Sequence, residues 1–322
     1  MKILLIKMSS MGDVIHTLPA LTDAQKAISD IQFDWVVEPA FSEIPTWHAS
    51  VNKIIPINLR QWRKHPFDAI KNKSILNFYR NLNQTKYDLI IDAQGLLKSA
   101  VVAKCAKGVR CGYDKNSIKE KMASYFYDQQ YAVSKNQHAI LRIRELLSQI
   151  LNYTFDKNKI EYQINLNSKK LSFELPEKYV VFLHGTTWET KCYAEKNWGN
   201  LLQQLNPLPV LLPWGNLSEK ARADNLASQF QNALVLPKLN IEDMAVVLKN
   251  AKAVVAVDTG LGHLSAALST PTISLYGPTD PKKVGAMGDN QIHLCAESNA
   301  PLVNINPDKI SEILCDLIKK SL

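Results

Sequence analysis

The fold of this chain is decided by one stretch, Val254-Val255-Ala256-Val257-Asp258-Thr259-Gly260-Leu261-Gly262-His263-Leu264-Ser265-Ala266. Its first four residues form an apolar run typical of a buried parallel strand, and an acid, a hydroxyl, two glycines and an imidazole follow. At the carboxyl end of such a strand, small residues let a ligand approach the backbone, and the next helix offers amide N–H groups with a favourable dipole. The stretch therefore predicts a site for a phosphorylated ligand, most simply a diphosphate.

The same junction has a purely structural interpretation. Asp258 and Thr259 are both suited to cap a helix, and the glycines are suited to a tight turn. The spacing Gly260-x-Gly262-x-x-Ser265 approaches the dinucleotide fingerprint, but the third glycine is missing, so the indication of a nicotinamide cofactor is weak.

Length and composition indicate a globular protein of two domains. The 322 residues exceed what one ordinary core holds, and 46% hydrophobic with 21% charged residues is normal for a soluble protein. The apolar run Ile3–Ile6 ends at Lys7, too early for a signal peptide, and no run approaches the roughly 20 residues of a spanning helix. Five cysteines without a Cys-x-x-Cys pair predict reduced thiols in a cytoplasmic protein.

Charge is distributed unevenly along the chain. Residues 1–150 contain 21 Lys and Arg against 13 Asp and Glu, whereas residues 151–322 contain 17 of each. Within residues 51–150 the counts are 18 and 7. The first half is therefore expected to meet a polyanion, which could be nucleic acid, anionic lipid or a phosphorylated glycan.

Strands alternate with helices in two successive halves. The predicted strands are Lys2–Lys7, Phe33–Val37, Ile54–Ile57 and Leu89–Ile91, then Tyr179–Leu183, Val210–Leu212, Ala253–Val257 and Thr272–Leu275. A helix is expected from the first turn to about Lys26, and a last helix over Pro307–Lys320 could pack back on the first domain. The pattern predicts an α/β protein of two doubly wound, Rossmann-like domains, 1–165 and 166–322, facing a ligand-binding cleft.

Asp13 is a candidate general base. It follows the first strand in the turn Ser9-Ser10-Met11-Gly12-Asp13, where Gly12 permits close approach and a carboxylate can accept a substrate proton. Asp is also a good helix N-cap residue, and Asp13 could serve only in that role.

A second polar turn follows a strand in the other half. His184-Gly185-Thr186-Thr187, with Lys191 four residues later, combines hydroxyls, backbone amides and a cation that can hold phosphate oxygens. An ordinary polar turn with a solvated lysine has the same composition. Two such turns predicted on one sheet favour the phosphate interpretation.

A basic segment in the first half is the candidate site for an anionic ligand. Arg60-Gln61-Trp62-Arg63-Lys64-His65 carries forked guanidinium groups that suit carboxylates and phosphates, and Trp62 offers a face for sugar or lipid. Lys98, Lys119, His138, Arg142 and Arg144 are expected to join it. A solvated basic helix is the alternative.

Metal and nucleotide-hydrolysis motifs are missing from the sequence. It contains no Asp-x-Asp, no His-x-x-x-His, no Gly-x-x-x-x-Gly-Lys-[Ser/Thr] and no Gly-x-Ser-x-Gly. These absences disfavour metal-dependent sugar transfer, P-loop chemistry and a nucleophile elbow. No cofactor is expected.

Several segments together resemble the lipopolysaccharide heptosyltransferases. They are Lys7–Leu21, His184–Thr187, Val257–His263 and Tyr276-Gly277-Pro278-Thr279-Asp280, and the resemblance spans nearly the whole chain. Phe33–Glu38, Trp62–Lys64, Asp92–Leu96 and Leu212–Gly215 are similar in particular to the members that add the first inner-core heptose.

The resemblance implies a GT-B fold, an ADP-heptose donor and a Kdo-lipid A acceptor, with inversion at the anomeric carbon. Asp13 matches the catalytic base of the family. The positions implied for donor binding in domain 166–322 are Thr186, Thr187, Lys191, Glu219, Asp258, Thr259, Gly260 and His263. Those implied for acceptor binding in domain 1–165 are Arg60, Arg63, Lys64, Lys119, His138 and Arg142. No metal ligand is implied.

Two other functions remain open at this stage. A heptosyltransferase that extends an already heptosylated acceptor shares the donor motifs, and a noncatalytic protein that binds anionic glycans could retain the same scaffold. Nucleic acid is not an expected partner, because the basic half has no recognisable RNA-binding motif. A lipid-linked acceptor predicts peripheral association with the anionic cytoplasmic face of the inner membrane.

Overall fold

The computed structural model describes residues 1–166, 170–186, 188–296 and 302–320, without the side chains of Glu189, Val303 and Lys320. The chain folds as two compact units, Met1–Asn165 and Leu166–Leu322.

The first unit is a six-stranded parallel sheet with helices. The strands are β1 (Lys2–Ile6), β2 (Gln32–Val37), β3 (Val51–Pro56), β4 (Leu89–Asp92), β5 (Val109–Tyr113) and β6 (Gln129–Tyr131), in the order β3-β2-β1-β4-β5-β6. The helices are α1 (Met11–Ile15), α2 (Leu18–Ala27), α3 (Glu43–Thr46), α4 (Leu59–Lys64), α5 (Pro66–Lys71), α6 (Ser74–Leu82), α7 (Leu97–Cys105) and α8 (Ala139–Leu151). Four successive residues of β1, Ile3–Ile6, are buried, as expected for a central strand covered on both faces.

The second unit has the same architecture. Its strands are β7 (Val180–Leu183), β8 (Val210–Leu212), β9 (Ala233–Val235), β10 (Ala253–Val257), β11 (Thr272–Tyr276) and β12 (Gln291–Cys295), all parallel, in the order β12-β11-β10-β7-β8-β9. The helices are α9 (Glu195–Leu205), α10 (Leu217–Gln229), α11 (Ile241–Lys249), α12 (Gly260–Ala267), α13 (Pro281–Val284) and α14 (Pro307–Lys320).

Each sheet reverses its strand order at one place, between β1 and β4 in the first unit and between β7 and β10 in the second. Loops leaving the carboxyl ends of two such strands diverge to opposite faces and open a crevice, which is where ligands bind in doubly wound sheets. Asp13 follows β1, and Asp258 follows β10. Both candidate sites therefore lie where the topology provides a crevice within its own unit.

The predicted fold class, two parallel α/β domains, is confirmed, but the sequence reading missed four strands. They are β5, β6, β9 and β12; β6, β9 and β12 are edge strands, and β5 lies next to the edge strand β6. Edge strands are short and only partly apolar, as the exposed residues of Gln129–Tyr131 illustrate. Such strands give a weak sequence signal.

The helix expected to run to Lys26 is two helices. α1 ends at Ile15 and α2 begins at Leu18, with Pro19 in its first turn. An N–H group in the first turn of a helix has no intrahelical acceptor, so proline, which lacks this group, is well suited to that position. A new helix therefore starts at this point.

The last helix contributes to the core of the second unit. Ile310, Leu314 and Leu317 of α14 are buried in the same cluster as Trp198 and Val255. Among the described residues, no helix combines the length and the apolar character needed to cross a bilayer.

Candidate functional site

The loop after β1 places Asp13 in the first turn of α1. Ser10 is the N-cap residue, and its N–H and hydroxyl both donate to Asp13 Oδ2, at 2.8 and 2.9 Å. Asp13 is therefore not the N-cap; it is the third helical residue of a capping box, reaching back to Ser10. This contact fixes one carboxylate oxygen, and the side chain remains 43% exposed.

The second Asp13 oxygen faces a buried cation. Lys7 Nζ lies 3.4 Å from Asp13 Oδ1 and donates to the carbonyl of Ala93 at 3.2 Å. Burial opposes ionisation of Asp13, but the Lys7 ammonium and the Ser10 hydrogen bonds outweigh it and lower the pKa of the carboxyl. Asp13 is thus a carboxylate at neutral pH, ready to accept a proton.

A glutamine on the neighbouring strand loop holds the backbone before Asp13. Gln94 Oε1 accepts from the N–H groups of Met8 and Ser9, at 2.9 and 3.3 Å, and Gln94 Nε2 donates to the Ser9 carbonyl at 2.9 Å. Sequence reasoning gave Gln94 no role. The only indication in the sequence was that Gln94 lies in Asp92–Leu96, one of the segments that carry the family resemblance.

Asp92 in turn holds the loop that carries Gln94. This fully buried carboxylate accepts from the N–H groups of Gln94 and Gly95 through Oδ1, and from the Tyr127 hydroxyl through Oδ2 at 2.7 Å. Burial raises its pKa against these hydrogen bonds. The two loops at the β1/β4 reversal are therefore tied together by side chains.

In the second unit, Lys191 and Asp258 form an ion pair. Lys191 Nζ lies 2.6 Å from Asp258 Oδ2, and the same oxygen accepts from the Thr279 hydroxyl at 2.6 Å. The three groups come from the loops after β7, β10 and β11. Thr279 was quoted from the sequence only within a family-like segment, and no spacing pointed to its contact with Asp258.

The helix after Asp258 begins as the sequence predicted. Thr259 is the N-cap residue of α12, and its side chain makes no capping hydrogen bond within the described chain. Gly262 N–H donates to the Thr259 carbonyl at 3.0 Å, whereas the amides of Gly260 and Leu261 come too early in the helix to have an intrahelical carbonyl partner. His263 lies one turn later and is nearly buried.

The loop after β7 packs against a carboxylate. His184 is fully buried, and burial together with the nearby Arg222 charge lowers its pKa to about 4, so the imidazole is neutral. A Cβ atom on Gly185 would lie 2.5 Å from Cδ of Glu219. Glu219 Oε2 also accepts from the Gly215 N–H at 2.7 Å, so the two glycines provide the space in which this carboxylate lies.

The remaining donor-side predictions have mixed outcomes. The hydroxyl of Thr186 accepts from the Trp188 N–H at 3.4 Å, and the side chain is half-buried. Thr187 lies outside the described residues. The structure brings Lys191 and Asp258 into contact and places Glu219 against the Gly185 turn of the same sheet edge.

The predicted acceptor residues fall into two groups. Arg60, Arg63 and Lys64 are exposed on α4. The backbone amides of Arg60 and Leu59 face the Glu38 carboxylate, and the Glu38 N–H donates to the Met8 carbonyl at 3.0 Å. α4 is thereby attached to the loop that leads to Asp13.

The other acceptor residues come from the opposite side of the sheet. Lys119 is exposed, whereas His138 is a buried N-cap of α8 whose ring lies 5.5 Å from that of His16, three residues after Asp13. Arg142 lies over the Tyr113 ring at 5.1 Å and donates to the Ser117 carbonyl at 2.6 Å. Arg142 therefore has an internal structural contact, and Arg144, buried and paired with Asp23 at 2.6 Å, is structural.

Within the described residues, no group of three or more His, Cys, Asp or Glu side chains is placed to hold a metal ion.

Comparison with known proteins identifies close relatives. A family model described as glycosyltransferase family 9 (heptosyltransferase) matches residues 75–308. The chain is 49% identical over 298 residues to the lipopolysaccharide heptosyltransferase 1 of Pseudomonas aeruginosa, covering 91% of this chain and 83% of the relative.

Solved structures agree with this family. The chain resembles the E. coli heptosyltransferase WaaC with ADP at a TM-score of 0.92 and 43% identity, covering 98% of this chain and 100% of that one. It also resembles WaaC with ADP-2-deoxy-2-fluoro heptose at a TM-score of 0.89 and 42% identity, covering 98% and 99%.

Proposed function

The chain belongs to glycosyltransferase family 9, the heptosyltransferases, and we propose that it transfers L-glycero-D-manno-heptose from ADP-heptose to the Kdo of Kdo-lipid A. This is the addition of the first heptose of the lipopolysaccharide inner core. The observation that carries the proposal is the ionised, half-exposed Asp13 carboxylate, held by Ser10 and Lys7 at a strand-order reversal.

Asp13 is the general base of this reaction. Its Oδ1 atom takes the proton from the attacking Kdo hydroxyl while the new C–O bond forms at the anomeric carbon of heptose. The bond from that carbon to the phosphate oxygen breaks with both electrons leaving on ADP. Because the hydroxyl attacks the face opposite the leaving ADP, the configuration inverts. The lowered pKa keeps Asp13 ionised before each turnover, and Gln94 fixes the backbone that positions it.

The second unit binds the nucleotide sugar. Lys191 and the amides at Thr259 and Gly260 hold the diphosphate and stabilise the charge that develops on leaving ADP. Asp258, anchored by Thr279, orients Lys191. Glu219 lies against the glycines of the β7 and β8 loops and binds the nucleoside side of the donor, with Thr186, Thr187 and His263 completing the donor site.

The first unit binds the acceptor. Arg60, Arg63, Lys64 and Lys119 are exposed cations that pair with the carboxylate of Kdo and the phosphates of lipid A. His138 lies beside His16 near Asp13, and Arg142 supports that side of the site through Tyr113. An acceptor attached to lipid A also implies peripheral association with the anionic cytoplasmic face of the inner membrane.

A second candidate, transfer to an already heptosylated acceptor, uses the same donor machinery. The 49% identity to the Pseudomonas heptosyltransferase 1 favours the first-heptose reaction. A noncatalytic glycan-binding role is disfavoured because Asp13, Lys191 and Asp258 are all present and in contact with partners that orient them.

The test is ADP release from ADP-heptose with Kdo-lipid A, run beside a heptosylated acceptor and repeated with Asp13→Ala. Turnover with Kdo-lipid A alone, lost in the variant, is expected. Preference for the heptosylated acceptor would assign the second reaction. Donor binding without turnover on either acceptor would support the glycan-binding role.

A further inference from the structure

An apolar groove opens on the first unit beside the predicted acceptor cations. Its volume is about 860 Å³, within the range of cavities that hold small ligands. Ile57, Trp62, Phe78, Val101 and Val102 line it, from the end of β3 and from α4, α6 and α7. Ile57 and Val102 also belong to the unit's hydrophobic core, so the floor of the groove is continuous with the core.

The walls of this groove are unusually exposed for apolar side chains. Ile75, Tyr79, Leu97 and Val101 are 43%, 48%, 40% and 45% exposed, and all four line the groove. A contiguous apolar surface of this kind marks a binding site for an apolar ligand.

The rim of the groove is cationic. Arg60, Arg63 and Lys98 line it, and no ion pair joins any of them to a carboxylate within the part of the chain that the structure describes. Two acids also line the groove: Glu120 accepts from the Leu97 N–H at 2.6 Å, and Glu38 faces the amides of Leu59 and Arg60 as well as the charges of Arg60 and Lys98. With three cations against two carboxylates, the lining of the groove carries one net positive charge.

We propose that this groove binds one acyl chain of the lipid acceptor, with the anionic headgroup held at Arg60, Arg63 and Lys98. A chain of methylenes needs no hydrogen-bond partner, whereas a peptide in the same groove would bury backbone N–H and C=O groups against Ile57 and Val102. The cationic rim complements phosphate or carboxylate beside the chain. The proposal rests on the acceptor assigned under Proposed function.

Cys105 provides a direct probe, because it lines the groove as an exposed free thiol. Cys295, exposed on β12 of the other unit, is the internal control. The rate at which N-ethylmaleimide alkylates each thiol would be measured by peptide mass spectrometry. The protein would be tested in the presence of Kdo-lipid A, of deacylated Kdo-lipid A, and of phosphatidylglycerol vesicles. Acylated acceptor is expected to slow alkylation of Cys105 at least fivefold, and this protection should saturate as the acceptor concentration rises. Deacylated acceptor should leave the Cys105 rate unchanged, and neither should protect Cys295.

The second arm measures kcat/KM for acylated against deacylated acceptor. Val101→Glu places a charge in the groove at an exposed position, and the ratio is expected to fall at least tenfold. Val109→Glu makes the same change at a 39% exposed position on β5 that does not line the groove, and should keep the wild-type ratio.

The outcomes separate the two proposals. Equal protection of Cys105 by acylated and deacylated acceptor, or no protection, overturns the acyl-chain site. Protection by vesicles with an unchanged kcat/KM ratio in Val101→Glu also overturns it and assigns the groove to the membrane. If the wild-type protein transfers no heptose but acylated acceptor still protects Cys105 in a saturable way, the acyl-chain site is upheld and the proposed function fails.

Discussion

Lys191 Nζ and Asp258 Oδ2 lie 2.6 Å apart, and Thr279 donates to the same carboxylate oxygen. The cation assigned to the donor diphosphate is therefore oriented by an acid from a neighbouring loop. A lysine side chain alone is a flexible point charge, and pairing with a nearly buried carboxylate restricts where its ammonium group can lie. The proposed phosphate site is thus built from three loops at one sheet edge.

Lys191→Met should lower kcat/KM for ADP-heptose. Removing a charged hydrogen-bonding group typically costs about 1.5–3 kcal/mol, which corresponds to roughly 10- to 160-fold. Donor titration by calorimetry and initial rates of ADP release would measure the loss. Lys220→Met is the control, because Lys220 makes a similar 2.7 Å pair with Asp224 on an exposed face of α10 and should leave both quantities unchanged. Equal donor affinity in Lys191→Met and wild type would contradict the assignment.

Lys7→Met should shift the acid limb of the kcat/KM pH profile to higher pH. The Lys7 charge lowers the pKa of Asp13 against the effect of burial, so removing the charge raises that pKa and protonates the base at a higher pH. Activity is then lost earlier as the pH falls. Lys2→Met, at the exposed start of the same strand, should leave the limb where it is. An acid limb that stays in place in Lys7→Met would remove Lys7 from this role.

Gln94→Leu should reduce activity more than stability. It leaves the Met8 and Ser9 amides and the Ser9 carbonyl without their side-chain partner, at a cost of about 1–3 kcal/mol, and it loosens the backbone before Asp13. Urea unfolding gives the stability change, and kcat gives the positioning effect. Gln94→Glu keeps an acceptor oxygen for the Met8 and Ser9 amides but places a negatively charged oxygen against the Ser9 carbonyl, so its kcat should also fall below that of wild type. If kcat in Gln94→Leu matches wild type, Gln94 has only a structural role.

Gly185→Ala should weaken donor binding while leaving the fold nearly as stable. The new Cβ would lie 2.5 Å from the Glu219 carboxylate. The flexible Glu219 side chain can move away at little cost, but it then loses its hydrogen bond from the Gly215 amide. Gly215→Ala is a matched control, because its Cβ would lie at 3.4 Å from the same carboxylate. We expect the donor Kd to rise about tenfold, the loss of roughly one hydrogen bond, in the first variant only. A rise of the same size in both variants would contradict this role of Gly185.

His48 should make the first unit acid-sensitive. Its ring is buried between Thr22 and Ser50, and burial lowers its pKa from 6.5 to about 4. The unfolded chain therefore binds a proton more readily, and the free energy of unfolding falls as the pH drops from 6.5 to 4, by about 3 kcal/mol at most. Urea unfolding at several pH values should show a flatter dependence in His48→Asn. Thr22→Val, which keeps the imidazole, should lose stability at every pH and retain the wild-type slope.

Much of the fold could be predicted from local sequence. The central strands β1, β4, β7 and β10 each contain a continuous apolar run because helices cover both faces of a parallel sheet, and their hydrophobic signal is strong. The edge strand β6 was missed because its exposed, polar residues carry no such signal.

The sequence by itself determined the chemistry available at the candidate site: Asp13 after β1, Lys191 after β7 and Asp258 after β10, each in a turn with small residues. Tertiary structure alone decided which of these groups act on one another. Lys191 and Asp258 are 67 residues apart, and Gln94 is 86 residues from the Met8 amide that it binds. Such contacts follow from the pairing of β1 with β4 and of β7 with β10, because parallel neighbours bring their carboxyl-end loops together.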